Sequence, residues 1–301
     1  MARASLTFLM ALVAASLLAC GGGGSGAGSG TDQAALPEGV STELIPPEDA
    51  DSANRDLVPP TFITIPPGNG GGSGPIADWT FWPESLATHV LDENNLYAHS
   101  EQALSWPENG AGFYASRADC SGFVTRSLMK AFAFSSGSIS TWLGSTGPSS
   151  ARYHDNILAT NNFQRIEAAS SVKRGDLVAI KYLDKTSGGT GHTMIAAGAP
   201  VERSQATKPI IENTVQYELR IIDSTSSPHG DGDTRKGTAA DGSGSDQNGA
   251  GLGTMRLYAD ASTRKIVGYT WSLSTGSSYY TATSPADDRR SLVVGRMTFA
   301  Q

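Results

Sequence analysis

Between Gly21 and Pro75 the chain offers almost nothing to bury, and this limits what it can fold into. "GGGGSGAGSG" follows Cys20. Thr31 to Asn69 is rich in Pro and acids, and "GNGGGSGP" closes the stretch. Such a composition cannot repay the entropy of ordering and reads as a flexible, then semi-extended tether. Patterned apolar sequence starts at Ile76. The expected organisation is therefore a leader over 1–19, a tether over 20–75 and one globular domain over 76–301.

The tether also explains the charge. The formal net charge of the 301 residues is −7, but the tether alone holds seven acids and one base. The domain is nearly balanced, so the acidity says little about its substrate. No basic face suggests a nucleic-acid partner, and a monomer is expected.

The leader "MARASLTFLMALVAASLLAC" has Arg3 in a short n-region and an apolar run from about Leu6 to Leu18. That is the layout of a secretory signal, too short to span a membrane. "LLAC" resembles the lipobox of bacterial lipoproteins, in which the cysteine after the cut is acylated. Lipidation is thus expected at Cys20, with acyl chains as the membrane partner. The expected location is the bacterial envelope, facing the periplasm, with the outer membrane as the guess from family habit. An acylated Cys20 cannot bridge to Cys120, which leaves Cys120 as a free thiol.

"RADCSGFVTRSLMKAFAF" places Cys120, Val124, Leu128 and Ala131 on one helical face. Asp119 stands at the N-cap position. Cys120 then lies in the first turn, where the helix dipole favours a thiolate. By itself a lone cysteine is more often a small buried hydrophobe.

Two later stretches add partners. "VKRGDLVAIKY" reads as a turn entering a strand, with Gly175 and Asp176 in the turn. "GTGHTMIAAG" opens a second strand at His192, with Met194 and Ala196 on the same face. In "QYELRIIDST", Tyr217, Leu219, Ile221 and Asp223 share a face at period two. An acid continuing an apolar stripe needs a partner, and an imidazole fits. Cys, His and acid together suit thiol nucleophilic catalysis, with the Cys120 N–H as an oxyanion donor. His229, in "SSPHGDGDTR", is the reserve partner. His89, His99 and His154 read as surface residues. "HGDGDTRKG" lacks the spacing of a calcium loop, so no metal is expected. No phosphate-cradling glycine string follows a strand, so no cofactor is expected. "DGSGSDQNGAGLG" over 241–253 reads as a loop. "MRLYADASTRKIVGYTWSLS" and "SLVVGRM" alternate like further strands.

"DCSGFV", "RGDLVAI" and "GHTMIAAG" resemble the NlpC family of cell-wall cysteine peptidases, over about Trp106 to Ser224. The resemblance implies an α+β, papain-like fold, in which a helix bearing the nucleophile packs on an antiparallel sheet; the extra C-terminal strands are additional. It implies Cys120 as nucleophile, His192 as base and Asp223 as orienting residue. It further implies Asp119 and Ser121, and loosely Trp106 or Tyr114, at the substrate. The implied substrate is the stem peptide of peptidoglycan. The alternatives are a papain-like amidase or acyltransferase on another envelope substrate, and a catalytically inactive wall-binding lipoprotein. "LSWPENGAGFY" and the long spacing from His192 to Asp223 depart from the family pattern.

Overall fold

In "LVAIKY", Leu177 and Ala179 point one way and Val178 and Ile180 the other, yet all four are fully buried. Side chains alternate along a strand, so this sheet must be covered on both faces. Two different structures provide the cover.

The computed structural model describes residues 78–108, 112–185, 189–237, 244–283 and 289–298. The expectations for the leader, Cys20 and the tether fall outside the described residues. The helices are α1 (Phe81–His89), α2 (Cys120–Phe132), α3 (Ser136–Leu143) and α4 (Ser150–Leu158). Three short strands, β1 (Asn95–Leu96), β2 (Ala103–Ser105) and β3 (Ala115–Arg117), form a small sheet of order β1-β3-β2. The main sheet contains β4 (Phe163–Arg165), β5 (Leu177–Tyr182), β6 (Gly191–Ala196), β7 (Val201–Glu202), β8 (Thr214–Thr225), β9 (Gly249–Asp260), β10 (Ile266–Thr270), β11 (Tyr279–Thr281) and β12 (Arg290–Met297). Its order is β11-β10-β9-β8-β6-β5-β12-β4, with β7 added to β8. Every neighbouring pair is antiparallel. The fold is thus mixed α+β with sheet predominating. Among the described residues no helix is long and apolar enough to cross a membrane.

The helices cover one face. Phe123, Val124 and Leu128 of α2 pack in one cluster with Leu177, Ala179, Ile195 and Ile222. Asp119 caps α2, its Oδ1 accepting from the Gly122 N–H at 2.7 Å, and the helix ends at Ala133 in a left-handed conformation. Ser149 caps α4 by accepting from the Arg152 N–H.

The sheet covers its other face by curling. The Leu292 N–H of β12 donates to Ala282 O just after β11, and the Ile266 N–H of β10 donates to Glu167 O just after β4. The opposite edges therefore meet, and the sheet approaches a closed barrel. Val178, Ile180, Met194, Leu219, Ile221 and Leu257 fill its interior. The expected extra C-terminal strands thus complete the barrel wall. One expectation is corrected: 249–253 is the start of β9 and not loop, while 241–243 lies outside the described residues.

Gly191 shows how tightly β5 and β6 are paired. A Cβ there would sit 1.9 Å from the backbone oxygen of Ile180. Gly191→Ala is expected to destabilise the domain by about 1–3 kcal/mol, read as a lower urea midpoint. It should also displace His192, the next residue.

Candidate active site

α2 lies on the helical side of the sheet, whereas His192 and Asp223 continue the stripes that face the barrel interior. They can meet only at the sheet's end, and each is placed there. Cys120 is the first residue of α2, His192 the second of β6, and Asp223 lies near the end of β8. Ser224 Oγ donates to Ala118 O at 2.7 Å, tying the turn before the cysteine to the strand bearing the acid.

Asp223 is the hub. Its Oδ2 lies 2.6 Å from His192 Nε2 and 2.8 Å from His229 Nε2. Its Oδ1 accepts from an Arg235 terminal nitrogen at 2.9 Å. The carboxylate has no exposed surface. Burial pushes its pKa up, but the Arg235 and His229 charges and the two histidine hydrogen bonds hold it well below the usual carboxylate range.

With Nε2 engaged by Asp223, Nδ1 is the nitrogen left for the sulfur. Burial opposes a charge on this ring. The charge and hydrogen bond of Cys120, with Asp223, override burial and raise His192 above 6.5, to about 10. Cys120 is itself nearly buried, and its Sγ lies 3.3 Å from Ser150 Oγ. Ser150 is the first residue of α4, so the starts of two helices converge on the sulfur. Only tertiary packing brings Ser150 there, and no local sequence signal marks it.

Behind Asp223 lies a second layer, made of His229, the reserve partner named from the sequence, and of Asp233 and Arg235, which no sequence signal marks. His229 Nδ1 lies 2.9 Å from Trp271 O. Both ring nitrogens thus lie at hydrogen-bond distance from an oxygen, Trp271 O on one side and Asp223 Oδ2 on the other. Asp233 accepts from the His229 and Arg235 N–H groups and from the Arg235 side chain at 2.7 and 2.8 Å. Arg235 also donates to Gly249 O. Space for this layer comes from β9. A Cβ at Gly251 would come within 2.6 Å of Arg235, and one at Gly253 within 2.9 Å of His229.

His192, Asp223 and His229 have a donor composition that also suits a metal, each offering one atom within a 4.8 Å group. A tetrahedral zinc ion would hold such donors about 3.3 Å apart. The two contacts here, 2.6 and 2.8 Å, are hydrogen-bond lengths, so the set reads as a proton-transfer array.

The remaining expected residues lie elsewhere or face inward. Trp106 packs with other partners: its Nε1 donates to Trp82 O, and its ring lies beside the Lys130 amine. Tyr114 stacks on His89. Asp119 and Ser121 are both nearly buried. Asp119 Oδ1 accepts from the cap N–H and from Ser121 Oγ, and its Oδ2 meets His99 Nδ1 at 3.1 Å. The Gly of "DCSG" has a packing role: a Cβ at Gly122 would fall 1.6 Å from Gln102 Oε1. His89 and His99 are exposed as expected, but His154 is buried between Asp155 and Ser291.

Two outcomes follow from the ionic layer. Arg235→Met would leave two buried carboxylates without their cation and should cost about 3–5 kcal/mol in urea unfolding. The raised His192 stabilises the fold fully below pH 6.5, and this contribution is lost as pH rises toward 10. The lowered Asp223 contributes above pH 3.8 and is lost below it. Stability should therefore peak between about pH 5 and 7, as followed by urea midpoints across pH.

No protein-family model matches the chain, and no solved structure matches it. Over 225 residues it is 33% identical to "Uncharacterized protein R653" of Acanthamoeba polyphaga mimivirus, an alignment covering 72% of this chain and 94% of the viral protein. The chain belongs to one family with that mimivirus protein.

Proposed function

We propose that the chain is a papain-like cysteine hydrolase that cuts peptide bonds in peptidoglycan stem peptides, held at a membrane by acylation of Cys20. The observation that carries the reading is His192, fixed at 2.6 Å by a fully buried Asp223, with its pKa raised beside the Cys120 sulfur. An imidazole so oriented, with its free nitrogen toward a thiol at a helix start, is the arrangement nucleophilic thiol catalysis requires.

In this reading the Cys120 sulfur attacks the scissile carbonyl carbon, and the carbonyl π electrons move to oxygen. The Cys120 N–H, which has no carbonyl partner inside the helix, stabilises that oxygen. Collapse breaks the C–N bond, and the leaving nitrogen takes the proton from His192 Nδ1. Water then attacks the thioester, losing a proton to the same nitrogen, and the thiolate leaves. Asp223 keeps the ring oriented and its charge balanced throughout.

The test is digestion of purified peptidoglycan followed by muropeptide analysis. The wild-type chain is expected to release cleaved stem peptides. Cys120→Ala and His192→Ala should abolish release, and Asp223→Ala should lower it by about 10²–10⁴-fold. Full activity in His192→Ala, or no product from the wild type, would sink the proposal.

A further inference from the structure

The mouth of the barrel beside Cys120 holds a cation with no carboxylate partner among the described residues. Arg290, first residue of β12, pairs across the sheet with Tyr182, last residue of β5. Its guanidinium lies 3.8 Å from the ring centre of Tyr280, 4.9 Å from Tyr182 and 6.0 Å from Trp271. All four residues are half-buried, forming a partly open rim. Trp271 in turn meets the His192 ring edge-on at 5.4 Å.

Several other arginines of the domain have carboxylates: Arg235 has Asp223 and Asp233, Arg264 has Glu202, and Arg296 has Asp176. Arg290 has none among the described residues. The groups acting on it are phenols: Tyr269, by a side-chain hydrogen bond and by charge, and Tyr280 and Tyr182 by charge. Aromatic faces hold a guanidinium in place, and its planar donor fork matches a carboxylate. The rim reaches the nucleophile through Tyr182. Burial raises that hydroxyl above its ordinary 10, while Arg290 pulls it down and the Cys120 charge pushes it up. The phenol thus stands within electrostatic reach of both.

We propose that Arg290, framed by Tyr182, Trp271 and Tyr280, is an anion subsite that receives a carboxylate of the acyl substrate next to the bond being cut. The proposal rests on the thiol-hydrolase reading and specifies its substrate as anionic.

Alkylation of Cys120 in the full chain tests both, with the modified residue located by peptide mass spectrometry. Iodoacetate and iodoacetamide present the same carbon with and without a carboxylate. In Arg290→Gln the iodoacetate-to-iodoacetamide rate ratio should fall about fivefold, with the iodoacetamide rate unchanged as proof of an intact site. Arg290→Lys should retain most of the ratio. In the wild type, succinate should slow iodoacetamide labelling more than succinamide does, a comparison that needs no variant. An unchanged ratio in Arg290→Gln, or equal protection by the two compounds, would overturn the subsite while leaving the hydrolase reading standing. If Cys120 reacts with both reagents only as an ordinary thiol, with a rate rising through about pH 8.5, the hydrolase reading fails and the subsite with it.

Discussion

Asp223 is a carboxylate with no exposed surface, and the arrangement of the whole site follows from keeping it charged there. A buried anion is tolerated only when paired and hydrogen-bonded. Three cationic or donor groups from two places in the chain meet that need: His192 from β6, and His229 and Arg235 from the β8–β9 connection. Each is then immobilised by the others. The histidine that faces Cys120 is consequently held by a network and not by one hydrogen bond, and a ring so fixed loses little freedom when it transfers a proton.

The curl of the sheet makes the meeting possible. A flat sheet would keep the helical face and the opposite face apart, leaving Cys120 on one and His192 on the other. Curling toward a barrel gathers the ends of β5, β8 and β10 and the starts of β6, β9, β11 and β12 around a single rim. The start of α2 abuts that rim through α2's packing on the sheet. The C-terminal strands therefore belong to the site as much as to the scaffold, because Trp271, Tyr280 and Arg290 come from them.

What could be read from the sequence was local and periodic. The Asp119 cap, the helix face of Cys120, Val124 and Leu128, and the alternations ending at His192 and Asp223 are each written within a dozen residues. What could not be read depends on distant partners. Gly249, Gly251 and Gly253 disguise the start of β9 as a loop. At 251 and 253 the glycines leave room for Arg235 and His229, which lie elsewhere in the sequence. His154 looks like a surface residue until Ser291 is brought against it. Ser150 carries only the signature of a helix start. Trp106 is implied only loosely, by a string that departs from the family pattern, and its contacts are Trp82 and Lys130.

The buried carboxylates around the site have partners. Asp223 and Asp233 face Arg235, and Asp223 also meets His229 and His192. Arg290 has no carboxylate among the described residues and is held by aromatic rings that supply attraction but no neutralising charge. A cation fixed in a half-buried rim draws anions from solution, and the draw strengthens as the rim is closed to water. A ligand that fills the rim and brings a negative group completes the match. A neutral ligand of the same shape must desolvate the guanidinium and gives nothing in return. Discrimination at such a site therefore comes chiefly from the penalty on the wrong ligand, as it does wherever a buried polar group is left unpaired.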